Sequence, residues 1–259
     1  MSLRILAAAA LTALAAVGPA RAAQITVGVT PGPHAQIMEQ VKPVAAAKGL
    51  DIEIVEFSDY VVPNTALDAG DIDANSFQNQ PYLDNQVRDR GLRIETAGLT
   101  VNFPLGIYSS KYETWSAVPD GAQIAIQNDP TNGGRSLLLL QDKGVIRLAD
   151  GVGFAPTVLD IVENPKKLRF IELDAAQTPR SLADVDAAAI NTNYAVSAGL
   201  DPRAALLRED PKGPYVNIIA IRSADRDAPW VKTLIEAYHS PEVKAFVEKT
   251  FKGAVLPSW

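Results

Sequence analysis

Short β-rich runs alternate with helical stretches along nearly the whole chain, and this alternation limits the fold more than any other feature. Gln24 to Thr30 alternates apolar and polar residues as a strand does, Pro31-Gly32-Pro33 turns the chain, and residues 34–48 read as a helix ended by Gly49. A second alternating strand covers residues 51–57, followed by a short helix over 64–69, a strand over 73–77 and a helix over 81–90. The β-α-β-α-β order implies an α/β protein with a mainly parallel sheet and right-handed crossovers. A second series opens near Thr114, with strands over 123–127, 169–173 and 187–191 and a helix over 131–143 behind the cap-like Asn128-Asp129-Pro130. The last 30 residues read as helices that start at Pro229 and Pro241.

The second series is complete without those C-terminal helices, so they need the first sheet to cover. Two apolar segments can carry the chain between lobes, residues 99–108 outward and 214–222 back. The expected division is lobe 1 from 23–102 and 220–259, lobe 2 from 103–219, and hinge strands near 99–108 and 214–222. Two crossing strands make a hinge, and the interlobe cleft is a natural ligand site.

The first 22 residues read as a signal peptide. Arg4 supplies the positive start, residues 5–17 the apolar stretch, Gly18-Pro19 the break and Ala20-Arg21-Ala22 the small-x-small cleavage pattern. The apolar stretch is shorter than the ~20 residues a membrane span needs. Export allows disulfides, yet the chain has no cysteine, so its stability rests on its core, and no N-terminal lipid can be attached through a thiol. The formal net charge of −6 argues against nucleic acid and anionic membrane as partners.

Motifs for common enzyme chemistries are missing. With two histidines, His34 and His239, and no cysteine, a multi-His or Cys metal centre is excluded and no cofactor is expected. Neither a nucleophile elbow nor a phosphate-binding loop is present. The pairs Asp71/Asp73 and Asp184/Asp186 alternate as strand-entry residues do. These absences favour binding over catalysis, with a secreted enzyme for a small amino acid or peptide, or a surface interaction role, as the alternatives.

A zwitterion with an apolar tail requires a cation, polar groups for its head and an apolar pocket. Arg135, in the first turn of the helix behind Asn132-Gly133-Gly134, can grip a carboxylate bidentately. Asn191 ends a strand and Asn217 interrupts an apolar run; each amide must find a partner in the protein or a ligand, at a cost of about 1–3 kcal/mol if it does not. Tyr60, Phe77 and Tyr82 flank loop positions of lobe 1, where a thioether gains about 0.3–1.5 kcal/mol from an aromatic ring.

In order along the chain stand VGVTPGPHA (27–35), FSDYVVPNTAL (57–67), GDIDAN (70–75), PYLD (81–84), NDPTNGGRSLLLLQ (128–141), VENPKK (162–167), AINTNYA (189–195) and PYVNII (214–219). Together they resemble the MetQ/NlpA-type family of methionine-binding lipoproteins of bacterial ABC importers. The resemblance implies a two-lobed periplasmic binding protein fold, type II-like, that closes on its ligand and docks on a membrane permease driven by an ATPase. It implies that Arg135 grips the ligand carboxylate, that Asn191 and Asn217 bind the amino-acid head, and that Tyr60, Phe77 and Tyr82 surround the side chain. Two departures stand out. Ala22-Ala23 replaces the family's lipobox cysteine, so a soluble periplasmic monomer without a stable membrane anchor is expected. Asn79 stands where the family commonly has a histidine, in Phe77-Gln78-Asn79, which changes the character of a residue expected to line the pocket.

Overall fold

A computed structural model describes residues 23–259; the segment read as a signal peptide lies outside the described residues. The first series folds as β1 (Ala23–Val29), α1 (Pro33–Ala46), β2 (Leu50–Glu56), α2 (Val62–Ala69), β3 (Ala74–Ser76), α3 (Gln80–Arg90) and β4 (Ile94–Asn102). The chain then enters a second sheet through β5 (Gly106–Tyr108) and β6 (Gln123–Gln127), followed by α4 (Pro130–Asp142) and a small hairpin of β7 (Arg147–Leu148) and β8 (Ile161–Glu163). Next come β9 (Arg169–Leu173), α5 (Thr178–Ser181), β10 (Ala187–Ile190), α6 (Thr192–Ser197) and β11 (Leu207–Arg208). The return strand β12 (Val216–Arg222) leads to α7 (Pro229–Tyr238), α8 (Pro241–Phe251) and β13 (Leu256–Pro257).

The six-stranded sheet runs β13-β4-β12-β3-β1-β2 and the five-stranded sheet β11-β5-β10-β6-β9. Parallel pairing is confined to β2-β1-β3 in the first and β10-β6-β9 in the second. The remaining pairs are antiparallel, so the sheets are mixed where the alternation predicts mainly parallel ones. The reason lies in the crossings: β4 leaves the first sheet and β12 re-enters beside it in the opposite direction. The outward crossing is the short stretch 103–105 between β4 and β5, and β12 pairs with β4 from Val216 onward. The expected outward segment thus splits into the end of one strand, a connector and the start of another.

Burial explains why the C-terminal helices return. Ile37, Met38 and Val41 of α1 form one core with Leu234 and Tyr238 of α7 and Val243 and Val247 of α8, over Ile25, Val27 and Val29 of β1. On the opposite face Leu67, Ile72, Leu83 and Ile218 pack beneath α2 and α3. The second sheet has its own core, in which Ile124 and Ile126 meet Leu137 and Leu140 of α4. Both acidic pairs sit at strand entries. Asp73 accepts the Thr26 amide and an Arg222 N–H, and Asp186 accepts the Gln123 amide at 2.8 Å. No group of three potential metal ligands occurs among the described residues, and no described helix is long and apolar enough to cross a membrane.

Candidate ligand-binding site

The ends of the two sheets border a partly open cavity with about 350 Å³ of atom-free space. All seven residues singled out in the sequence line it: Tyr60, Phe77, Asn79, Tyr82, Arg135, Asn191 and Asn217. The lining also includes His34, Gln78, Phe103, Asn132, Thr192 and Asn193.

Arg135 reaches the cavity because α4 starts unusually close to its surroundings. Asp129 caps the helix by accepting the Asn132 amide at 2.9 Å. A Cβ on Gly133 would lie 2.6 Å from the Gln127 carbonyl oxygen, and one on Gly134 would lie 2.7 Å from the Ala155 Cα. Neither backbone neighbour can yield, so both positions need glycine. The guanidinium is then fixed from three sides. Glu209 closes its Nε and Nη2 edge, the Phe103 carbonyl accepts from Nη2 at 2.9 Å, and the Tyr215 ring lies 4.2 Å from Cζ. Phe103 and Tyr215 belong to the two connections between the sheets, so the arginine touches both. The bidentate edge expected to face a ligand is taken by Glu209, and Nη1 is the nitrogen without an acceptor among the described residues.

The amides differ in how much they have left to offer. Asn191 is held on both sides: its Oδ1 accepts from Gln127 Nε2, and its Nδ2 donates to Asn132 Oδ1, each at 2.8 Å. One Nδ2 hydrogen remains. Asn79 caps α3 by accepting the Tyr82 amide at 3.0 Å, and its backbone bridges to that of Asn217. The Asn217 side chain forms no hydrogen bond to any described residue. Behind these residues Gln78 exchanges paired amide hydrogen bonds with Asn64 at 2.6 and 2.8 Å and also donates to Asn75. That buried network holds the 77–79 backbone in place without spending the donors that face the cavity.

Tyr60, Phe77 and Tyr82 form the apolar wall, with ring centroids 5.7 to 6.2 Å apart. Burial pushes the Tyr60 and Tyr82 phenols well above the usual tyrosine range, so both stay protonated and donate, Tyr60 to Asn193 and Tyr82 to the Tyr60 carbonyl. His34 is fully buried, and desolvation lowers its pKa from 6.5 to about 3. It is therefore neutral at physiological pH, with its ring 4.6 Å from that of Phe103 and its Nδ1 without a partner. Arg135 is thus the one ionised side chain of the lining.

Some of the lining was recoverable from sequence signals and some was not. His34 follows a Pro-Gly-Pro turn and is one of two histidines; Asn193 repeats the amide of Asn191 two positions on. Glu209 offered no such signal, because Arg208-Glu209-Asp210 reads as a solvated charged run.

Comparison with known proteins identifies the family. The family model described as NlpA lipoprotein matches residues 25–259. The D-methionine-binding lipoprotein MetQ of Escherichia coli K12 is 50% identical over 239 residues, covering 91% of this chain and 88% of the relative. A nutrient binding protein from Burkholderia cenocepacia, solved bound to methionine, is 54% identical with a TM-score of 0.89, covering 91% of this chain and all of that one. The crystal structure of the methionine binding protein MetQ is 50% identical, also at 0.89, covering 91% and 98%.

Proposed function

The chain belongs to the NlpA lipoprotein family, and from that premise we propose that it captures methionine in the periplasm and delivers it to the permease of an ABC importer. The observation that carries this reading is the convergence, in one cavity, of the anchored Arg135, the amides of Asn191 and Asn217 and the rings of Tyr60, Phe77 and Tyr82. In this reading the carboxylate of the ligand meets Arg135 Nη1, with Asn191 and Asn217 around the amino-acid head and the thioether against Tyr60, Phe77 and Tyr82. Asn79 lines the same space. The lining holds one ionised group and no acid–base pair beside a nucleophile, an arrangement suited to holding a zwitterion rather than transforming it.

The lobes are assigned as 23–102 with the C-terminal segment, and the intervening segment from 103. The return boundary belongs near Val216, where β12 joins the first sheet. Binding stabilises the closed arrangement to the extent that the ligand prefers it, and a soluble, unlipidated monomer is the form we assign.

Thermal unfolding of protein that has been denatured, stripped of ligand and refolded tests the substrate. A ligand at 100 times its dissociation constant adds about 2.7 kcal/mol, a shift of several degrees. Methionine is expected to give the largest shift in a panel of amino acids and short peptides. A larger shift with another compound moves the specificity to that compound, and a flat panel overturns the reading.

A further inference from the structure

The lobes meet along a second seam, distinct from the chain connections. Helix α6 of the second sheet reaches the turns that follow β1 and β2 of the first. Asn193 Oδ1 accepts from the Tyr60 hydroxyl at 2.6 Å, and the Tyr194 hydroxyl donates to the Ser58 carbonyl at 3.2 Å. Ser197 Oγ lies 3.4 Å from the Pro31 carbonyl, and the Tyr194 ring packs on Tyr60 with centroids 4.9 Å apart. Gly32 makes this approach feasible: its φ is +81°, and a Cβ there would lie 2.2 Å from Ser197 Oγ.

The strand order places this seam. In the first sheet β4 and β12, which lead to the other lobe, are neighbours, while β1 and β2 lie beyond β3 at the far edge. Contacts there act at a distance from the hinge and resist opening with the most leverage. Tyr194 is buried at 8% exposure, yet it is absent from the cavity lining. It touches Tyr60, which does line the cavity.

We propose that Tyr194 is a positioning residue that holds the cleft shut from α6, setting how long a ligand stays bound without touching it. The proposal rests on the binding reading above. Contacts made only when the lobes meet act on escape of the ligand, while capture proceeds from the open form.

The test is the dissociation rate of radiolabelled L-methionine in a chase experiment, with association rate and ligand-free melting temperature measured in parallel. Tyr194→Phe, which removes the cross-lobe hydrogen bond and keeps the ring, is expected to speed dissociation about fivefold. Tyr194→Ala, which removes the ring stacking as well, is expected to speed it about 30-fold. Association and the ligand-free melting temperature of Tyr194→Phe stay near wild type. Tyr108→Phe, whose buried hydroxyl has no partner and lies within the second lobe, is expected to leave dissociation unchanged. Unchanged dissociation in both Tyr194 variants overturns the proposal, as does a loss that falls on association or on ligand-free stability alone. A wild-type protein that binds no methionine overturns the binding reading and the role of Tyr194 together; binding with unmoved dissociation overturns Tyr194 alone.

Discussion

Replacing Arg135 with alanine is expected to weaken methionine binding by about 3–5 kcal/mol, roughly 150- to 5,000-fold. Two effects act in the same direction. On the proposed reading, the variant loses the charge-assisted hydrogen bond from Nη1 to the ligand carboxylate. It also leaves Glu209, whose side chain is 13% exposed, as an unpaired carboxylate close to where the ligand's own carboxylate would sit. Removing one partner of a buried pair destabilises the fold by a further ~3 kcal/mol, so affinity must be measured on protein shown to be folded. Arg135→Lys separates the contributions. Lysine keeps the charge but cannot serve Glu209, the Phe103 carbonyl and a ligand with one ammonium in the same geometry, so an intermediate loss is expected. Titration calorimetry on both variants checks this, and near-native affinity in Arg135→Ala removes the arginine from the carboxylate site.

Acidification is the second large effect. The folded pKa of His34, about 3, lies below the 6.5 of an unperturbed histidine because burial disfavours the charged ring. Below pH 6.5 the unfolded chain therefore binds a proton that the folded protein refuses. The associated stability is fully present above 6.5 and is lost progressively as the pH falls toward the folded value. At 1.36 kcal/mol per unit, the loss from this one group is about 3 kcal/mol by pH 4. In a protein of this size that corresponds to a fall in melting temperature of roughly 6–12 °C. Carboxylate protonation adds its own decline, which a neutral replacement leaves in place. Melting curves of wild type and His34→Gln between pH 7 and pH 4 are expected to separate by the His34 contribution, with the variant showing the shallower slope. Parallel slopes would mean that His34 does not titrate as its burial dictates.

The parts of this protein legible in the sequence are those that local pattern controls. Alternation marked β1 and β2 to within a residue, because a strand with one more deeply buried face writes its period into the chain. Proline at a first helical position marked α7 and α8, and Asp129 marked the start of α4. Residues whose polarity conflicts with their setting were legible too. Asn217 inside an apolar strand and Arg135 behind a Gly-Gly pair stand out because each needs an explanation beyond packing.

What pattern could not convey is pairing between distant segments. The antiparallel half of each sheet follows from β12 inserting beside β4, and nothing local to either strand specifies its neighbour. Glu209 becomes significant only when β11 brings it against Arg135, 74 positions away in sequence. Tyr194 read as part of a family block, and its contact with Ser58 spans 136 positions. The two Gly residues before Arg135 gave no hint of the carbonyl and the 154–156 loop that exclude a Cβ at each.

On the proposed reading, the cavity recognises an amino-acid head through Arg135 while the aromatic wall holds the side chain. Titration calorimetry of refolded, ligand-free protein with L-methionine and with L-methioninol, which keeps the thioether and ammonium but lacks the carboxylate, tests it most directly. The expected result is one-to-one binding of methionine and binding of methioninol weaker by about 100-fold or more, since the charge-assisted contact is lost. Equal affinity for the two compounds, or no binding of methionine, would contradict it.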